Sequence, residues 1–380
     1  MPRILFLTAY PKEDASCRYR VHQFVPHLQA AGYECTIAPF ATEKLFRALK
    51  SGGGIATKAR EMLRCSVNRF RGLLNTHGYD FMVIHREAFP FFAPLVENWA
   101  IQRARNSRIG TKIIFSFDDA IYAGHENVST LPHPRLYRLK HGRGYDEVIR
   151  ACDHVIVGNR ILAEYARQHN PRVTVMPTVV DCRKFQPQPL KKRAMPVTIG
   201  WMGSKTTSPY LRIVEPVLRR LRDAHGDRIR FRFYGDPEYK LDLPNFVSLP
   251  FSLATELEDL QQLDIGLMPL PDNAWTQGKC AFKAIQYMAS GVAAVASPVG
   301  VTRDLIQNNV NGFLAASEND WSSVVDRLVS DIVLRKRVAR EARRTVEDSY
   351  SLEVWGPRMA VLLDQLGETP GILEREGIAA

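Results

Sequence analysis

From end to end the chain alternates short β-branched or apolar runs with longer amphipathic stretches. "RILFLT", "FMVIH", "KIIFSF", "HVIVG" and "RVTVM" mark the first half, and "VTIGW", "IRFRFY", "NFVSL", "DIGLMPL" and "VAAVAS" the second. A strand followed by a helix long enough to cross back makes a βαβ unit, and such units build parallel sheets covered on both faces. At 380 residues the chain exceeds one ordinary core, so two α/β domains with doubly wound sheets are expected. "PTVVDCRKFQPQPLKKRAMP" breaks the rhythm with prolines and a basic cluster and reads as the connector between them. Ligands of such sheets lie beyond the carboxyl ends of the strands. Two facing domains therefore imply a cleft.

Six cysteines (Cys17, Cys35, Cys65, Cys152, Cys182, Cys280) are scattered without a C-x-x-C pair or a Cys/His cluster. That spacing argues for free thiols in a reducing compartment and against a zinc site or a disulfide framework. "PRILFLTAY" is too short an apolar run for a secretory leader, and no stretch approaches the roughly 20 apolar residues of a spanning helix. The expected location is cytoplasmic. The net charge of +11 asks for an anionic partner: nucleic acid, anionic lipid or a phosphorylated substrate. No nucleic-acid motif is present, and no nucleic acid partner is expected.

Part of that charge is local. The segment "KLFRALKSGGGIATKAREMLRCSVNRFRGLLNTHG" holds eight Lys or Arg against one acid, Glu61. Leu45, Phe46 and Leu49 precede its glycines, and Met62, Leu63, Val67 and Phe70 follow at helical spacing, which predicts two amphipathic helices hinged at "SGGG". Such a pair over 44–75 either lies on an anionic membrane, peripheral to its inner face, or packs on its own domain with a solvated basic face.

"GKCAFKAIQYMASGVAAVASPVG", residues 278–300, predicts a helix starting near Gly278. Phe282, Ile285, Met288 and Ala289 form one stripe, and Lys279, Lys283, Gln286 and Ser290 another. Two lysines in a first turn oppose the helix dipole and each other, at a cost of about 0.3–1 kcal/mol each. A bound diphosphate would reverse both effects; solvation at the surface would merely tolerate them. In the same half, "GWMGSKTTSPYL" follows a strand, with Gly200 and Gly203 allowing close backbone approach and Ser204, Thr206, Thr207 and Ser208 supplying hydroxyls.

In the first half, "SFDDAIY" puts Asp118 and Asp119 directly after a strand. Adjacent carboxylates there can serve as base, electrostatic stabiliser or metal ligands, or simply cap the next helix. "IHREAFP" leaves Arg86 and Glu87 at another strand end, and "ASCRYRVHQ" sets Arg18, Arg20 and His22 around a helix start. These five are the acceptor-side candidates.

The chain resembles a family 4-type (group 1) glycosyltransferase of GT-B architecture. The resemblance is carried by "SCRYRVHQFVPHLQAAGY", "FDDAIY", "CDHVIVGNRILAEYA", "MPTVVDCRKF", "IGWMGS…YL" and "GKCAFKAIQYMASGVAAVASPVGVTRDLIQNNVNGFLA". It implies an acceptor-side Rossmann-like domain over 1–185, a linker over 186–196, and a nucleotide-sugar-binding domain over 197–350. A C-terminal helix within 351–380 would cross back to the first domain. It also implies sugar transfer to a hydroxyl in glycan synthesis, without metal and with retention, and no cofactor beyond a UDP- or GDP-sugar donor. Gly203, Ser204, Lys205, Thr206, Lys279 and Lys283 would hold the donor, with Gln286 on its ribose. Asp118 or Asp119 would orient a glycan or lipid-linked acceptor, or stabilise positive charge on the sugar.

Many relatives carry glutamates where this chain has Gly278 and Gln286, an arginine at Trp201, and a lysine at Thr206, with Lys205 adjacent. Those departures keep two other readings open: a nucleotide-sugar epimerase of the same fold, and a non-catalytic glycan- or partner-binding protein.

Overall fold

The computed structural model describes residues 1–50, 54–76, 78–89, 95–106, 110–123, 144–188 and 196–368. The chain divides into two compact units, Met1–Thr178 with Trp355–Ala380, and Val179–Val354. Most of the basic, proline-containing connector expected over 186–196 lies outside the described residues.

The first unit is built on β1 (Arg3–Thr8), β2 (Glu34–Pro39), β3 (Phe81–His85), β4 (Lys112–Phe117), β5 (His154–Val157) and β6 (Val173–Val175). All pairs are parallel, in the order β2-β1-β3-β4-β5-β6. The winding steps one way from β1 to β2 and the other way from β3 onward. The switch point therefore lies between β1 and β3, and loops leaving their carboxyl ends border the crevice where such sheets take ligands. The central strands are apolar on both faces, as a sheet covered by helices requires. The edge strand β2, "ECTIAP", is only half-buried; its Glu and Thr hide it from a search for apolar runs.

The second unit contains β7 (Val197–Met202), β8 (Ile229–Tyr234), β9 (Phe246–Leu249), β10 (Ile265–Met268), β11 (Ala293–Ala296) and β12 (Phe313–Leu314). Their order is β12-β11-β10-β7-β8-β9, again all parallel. This is the 3-2-1-4-5-6 winding of nucleotide-binding sheets, with its switch point between β7 and β10. The strand β12 was not expected, and at two residues its pattern is too short to read.

One side chain fixes the helix that follows β10. Tyr287, on the helix Phe282–Ala289, is buried. Its hydroxyl accepts from the Met202 amide at 2.9 Å and donates to the Leu267 carbonyl at 3.3 Å. Leaving that hydroxyl unsatisfied would cost about 1–3 kcal/mol, so the helix is held to β7 and β10 at one register. Gly266 makes room for the ring, since a Cβ there would sit 2.5 Å from it. At the other end of the helix, the Arg343 guanidinium donates to the Ala289 carbonyl at 2.6 Å, a cation placed where the dipole favours one.

The final helix, Leu352–Glu368, carries the chain back into the first unit. A Cβ on Gly356 would meet the His27 imidazole at 2.6 Å, Gly367 lies against Phe81, and the Tyr33 hydroxyl donates to Asp364. Among the described residues no helix is long and apolar enough to cross a membrane. All six cysteines are free thiols.

Candidate active site

At the switch point of the first unit, three carboxyl-end loops bring one cluster together. The Ser16 hydroxyl, from the helix after β1, lies 2.9 Å from both Asp118 carboxylate oxygens and 2.8 Å from His85 Nε2. Arg86 follows β3 and donates from Nε to Asp118 Oδ1 at 2.5 Å and from Nη2 to Asp119 Oδ2 at 2.6 Å. Its backbone is left-handed, with φ of 58°, a conformation costing a non-glycine residue about 1–3 kcal/mol. What holds it there is visible: the Arg86 amide donates to Ser116 on β4 at 2.7 Å, and the double ion pair fixes the side chain. Glu97 clamps the loop beyond, accepting from the Ala88 and Phe89 amides at 2.8 and 3.1 Å.

The electrostatics set the protonation states. Burial alone would raise the Asp118 pKa, but the Arg86 charge overrides it, with Arg20 adding to the effect, and holds the carboxyl well below the usual range. Asp118 is thus a fixed anion and a poor proton acceptor, which favours electrostatic stabilisation over general-base work. Burial drives the His85 pKa down to about 3, against the pull of Asp118, so the imidazole is neutral. Ser16 has one proton, and a carboxylate can only accept it. His85 must then donate through Nε2 to Ser16, giving a directed chain from imidazole to hydroxyl to carboxylate.

That neutral imidazole has a consequence for stability. The unfolded chain protonates this histidine near pH 6.5 and the folded one only near 3, so stability falls as pH drops through that window. The Asp118 contribution is lost later, below about pH 4. His85→Gln is expected to flatten the decline of Tm between about pH 6.5 and 4. An unchanged slope in thermal melts would show that the buried ring is not what titrates.

The structure brings Arg86, Asp118 and Asp119 together and adds Ser16 and His85, which the sequence reading did not name. Both were accessible: His85 is the last residue of β3, where carboxyl-end residues gather, and Ser16 lies in the first turn of the helix after β1. The other acceptor-side candidates make different contacts. Arg20 is buried and donates to the Met176 carbonyl and to that of Pro177 at 3.0 Å. Arg18 donates to the Lys12 carbonyl at 3.1 Å and lies over the Tyr19 ring. His22 starts the short turn His22–Phe24, its pKa lowered by burial and by Lys12. Glu87 is buried and accepts from the Tyr145 hydroxyl at 3.2 Å. Asp118 and Asp119 start no helix up to residue 123, and residues 124–143 lie outside the described residues.

In the second unit, the loops after β7 and β10 leave adjacent strands at the switch point. The helix predicted from Gly278 begins instead at Phe282, because Ala281 adopts a left-handed backbone with φ of 53°. A separate turn, Ala274–Gln277, precedes it, closed by a capping box between Asn273 and Thr276. Lys279 therefore lies in the connector and only Lys283 lies in the first turn. Each ammonium is placed over an indole: Lys279 Nζ is 5.0 Å from the Trp275 ring centre and Lys283 Nζ 6.0 Å from that of Trp201. Cation–π contact of this kind positions a cation without neutralising it.

The loop after β7 is largely internally bonded. The Gly203 amide donates to Tyr234 at 2.9 Å, and the Ser204 amide to Thr207 Oγ1 at 3.2 Å. Ser204 and Thr206 share a hydroxyl contact of 2.8 Å, and Lys205 pairs with Glu238 at 2.5 Å on the surface. Packing accounts for both glycines: a Cβ on Gly203 would lie 2.1 Å from the Trp201 ring, and one on Gly200 2.1 Å from Leu263. Gln286 is buried and donates to Glu256 Oε1 at 2.9 Å. Glu256 opens the helix Glu256–Gln261 and was not singled out from sequence. Among the described residues no group of three or more His, Cys, Asp or Glu is placed to hold a metal ion.

Known structures share this architecture. Anabaena HepE, solved with UDP and glucose, matches with a TM-score of 0.68 at 13% identity, over 96% of this chain and 100% of that one. A glycosyltransferase from Rickettsia africae gives 0.65 at 14%, over 97% and 99%. Sucrose-phosphate synthase from Thermosynechococcus elongatus gives 0.64 at 14%, over 96% and 99%. No curated protein sequence matches. Two parallel six-stranded sheets with flanking helices, in the arrangement of these neighbours, make the fold GT-B. Residues 197–331 match the family described as glycosyl transferases group 1.

Proposed function

We propose that the chain transfers a sugar from a nucleoside diphosphate donor, a UDP- or GDP-sugar, to a hydroxyl of a glycan or lipid-linked acceptor in glycoconjugate synthesis. The observation that carries this reading is the pair of lysines at the start of the helix between β10 and β11 in a 3-2-1-4-5-6 sheet, one of them within 6.0 Å of the Trp201 ring on β7. Lys279 and Lys283 would meet the diphosphate, and their two charges supply what a divalent cation supplies elsewhere, so transfer needs no metal. Gln286, with Glu256 behind it, would contact the ribose. Ser204, Thr206 and the backbone of the Gly203 loop would border the donor, and Lys205 would swing from Glu238 to reach it.

In the first unit, Asp118 would supply a fixed negative charge that orients the acceptor or stabilises positive charge developing on the transferred sugar. Arg86, itself anchored by Asp119, would hold that carboxylate ionised and in place. Retention of configuration is the outcome the family implies. Calorimetric titration of the full chain with UDP, GDP, ADP and CMP tests the donor assignment. One nucleoside diphosphate is expected to bind selectively. No binding at millimolar concentrations would overturn the donor reading, and sugar isomerisation without acceptor would favour an epimerase.

A further inference from the structure

The helix Ile55–Leu74 has one face buried by the fold and, turned away from it, an apolar stripe that is exposed. Glu61, Cys65, Arg69 and Leu73 are buried at four-residue spacing. Arg69 donates to the carbonyls of Thr8 and Ala38 at 2.8 Å each, which pins this face to the sheet. Leu63 and Val67 each lie two positions beyond a buried residue, about 200° round the helix, and so point away from that contact. With Phe70 and Leu74 they form a stripe at i, i+4, i+7 and i+11, and all four are exposed, Leu63 by 67% and Leu74 by 47%. Single exposed apolar residues need no explanation, but a continuous stripe along the outer face of one helix does.

Charge identifies the occupant. Arg60, Arg64 and Arg71 flank the stripe along one side. Glu61 is the sole acid in the helix, and it is buried against Lys44 at 2.9 Å and Arg64 at 3.3 Å. The outward surface therefore presents apolar side chains and cations with no exposed carboxylate. At the C-terminal end, Phe70 lies 6.0 Å from the Trp99 ring, and Arg103 donates to the carbonyls of Leu73 and Leu74, securing the last turn.

We propose that this face docks on an anionic lipid surface, with Leu63, Val67, Phe70 and Leu74 entering the acyl boundary and the arginines reaching the headgroups. A convex, single-helix stripe with snorkelling cations suits the headgroup boundary, where helices of this kind lie in the plane. The proposal rests on the first unit alone and is independent of the donor assignment.

Co-sedimentation of the full chain with vesicles of phosphatidylcholine alone, and of phosphatidylcholine mixed with phosphatidylglycerol, tests it. Binding is expected to the mixed vesicles only and to weaken as salt rises. Leu63→Ser with Val67→Ser should lower it by about tenfold or more, and Arg60→Gln with Arg71→Gln should remove the preference for anionic lipid. All four positions are exposed, so far-UV circular dichroism and nucleotide affinity should match the parent. Equal binding to neutral vesicles, or undiminished binding by the serine variant, would overturn the proposal. So would self-association that the serine variant abolishes in the absence of lipid binding, which would make the stripe an interface between copies.

Discussion

Replacing Lys279 and Lys283 together with alanine is expected to weaken nucleoside diphosphate binding by about 100-fold or more, at roughly 1.5–3 kcal/mol for each hydrogen bond to a charged group. Binding of the matching nucleoside should change by less than about threefold, since it offers no phosphate. The contrast matters because both ammonium groups lie over indoles, of Trp275 and Trp201. If the lysines served chiefly to hold those rings, their loss would disturb the whole site, and nucleoside and diphosphate would weaken alike. Equal losses in titration calorimetry would thus return both lysines to a packing role.

Asp118→Asn is the second large effect. The amide keeps the shape and can still accept from Ser16, but it removes the charge. Loss of one preorganised electrostatic group costs about 10²–10³-fold in kcat, and donor affinity, which the proposal assigns to the other unit, should stay close to that of the parent. Arg86 would retain Asp119 as its partner at 2.6 Å, so the fold should survive with a lowered Tm. Unchanged turnover would mean that the Ser16, His85, Arg86 and Asp118 cluster stabilises the first unit and does no chemistry. Paired measurement of kcat and Tm separates the two outcomes.

The parts of the fold that were legible in the sequence are those governed by buried apolar runs. Strands such as "KIIFSF" and "VTIGWM" declare themselves because both faces are covered. β2 did not, because an edge strand with one half-exposed face can carry Glu and Thr. The true start of the lysine helix was hidden for a different reason. It is set by a left-handed Ala281, and alanine gives no local warning of that conformation. The site was half legible: a rule about strand ends finds Asp118 and Arg86, but the hydrogen bonds that complete the cluster join Ser16 to Asp118 across 102 residues. The Gln286–Glu256 contact was hidden in the same way. The glycines of the β7 loop were legible as close approaches, yet what approaches them is Trp201 and Leu263.

The return of the last helix to the first unit reverses the order in which the units can be completed during synthesis. Val179–Val354 is one uninterrupted stretch and can close as soon as it has emerged. The unit made first must wait: its Tyr33 finds Asp364 only 331 residues later, and His27 and Phe81 stay uncovered until Gly356 and Gly367 arrive. Chains usually finish their N-terminal domain first. Here the first unit receives its last helix only after the second unit is made, so a chain that stops short of that helix holds every residue of the second unit and lacks part of the first.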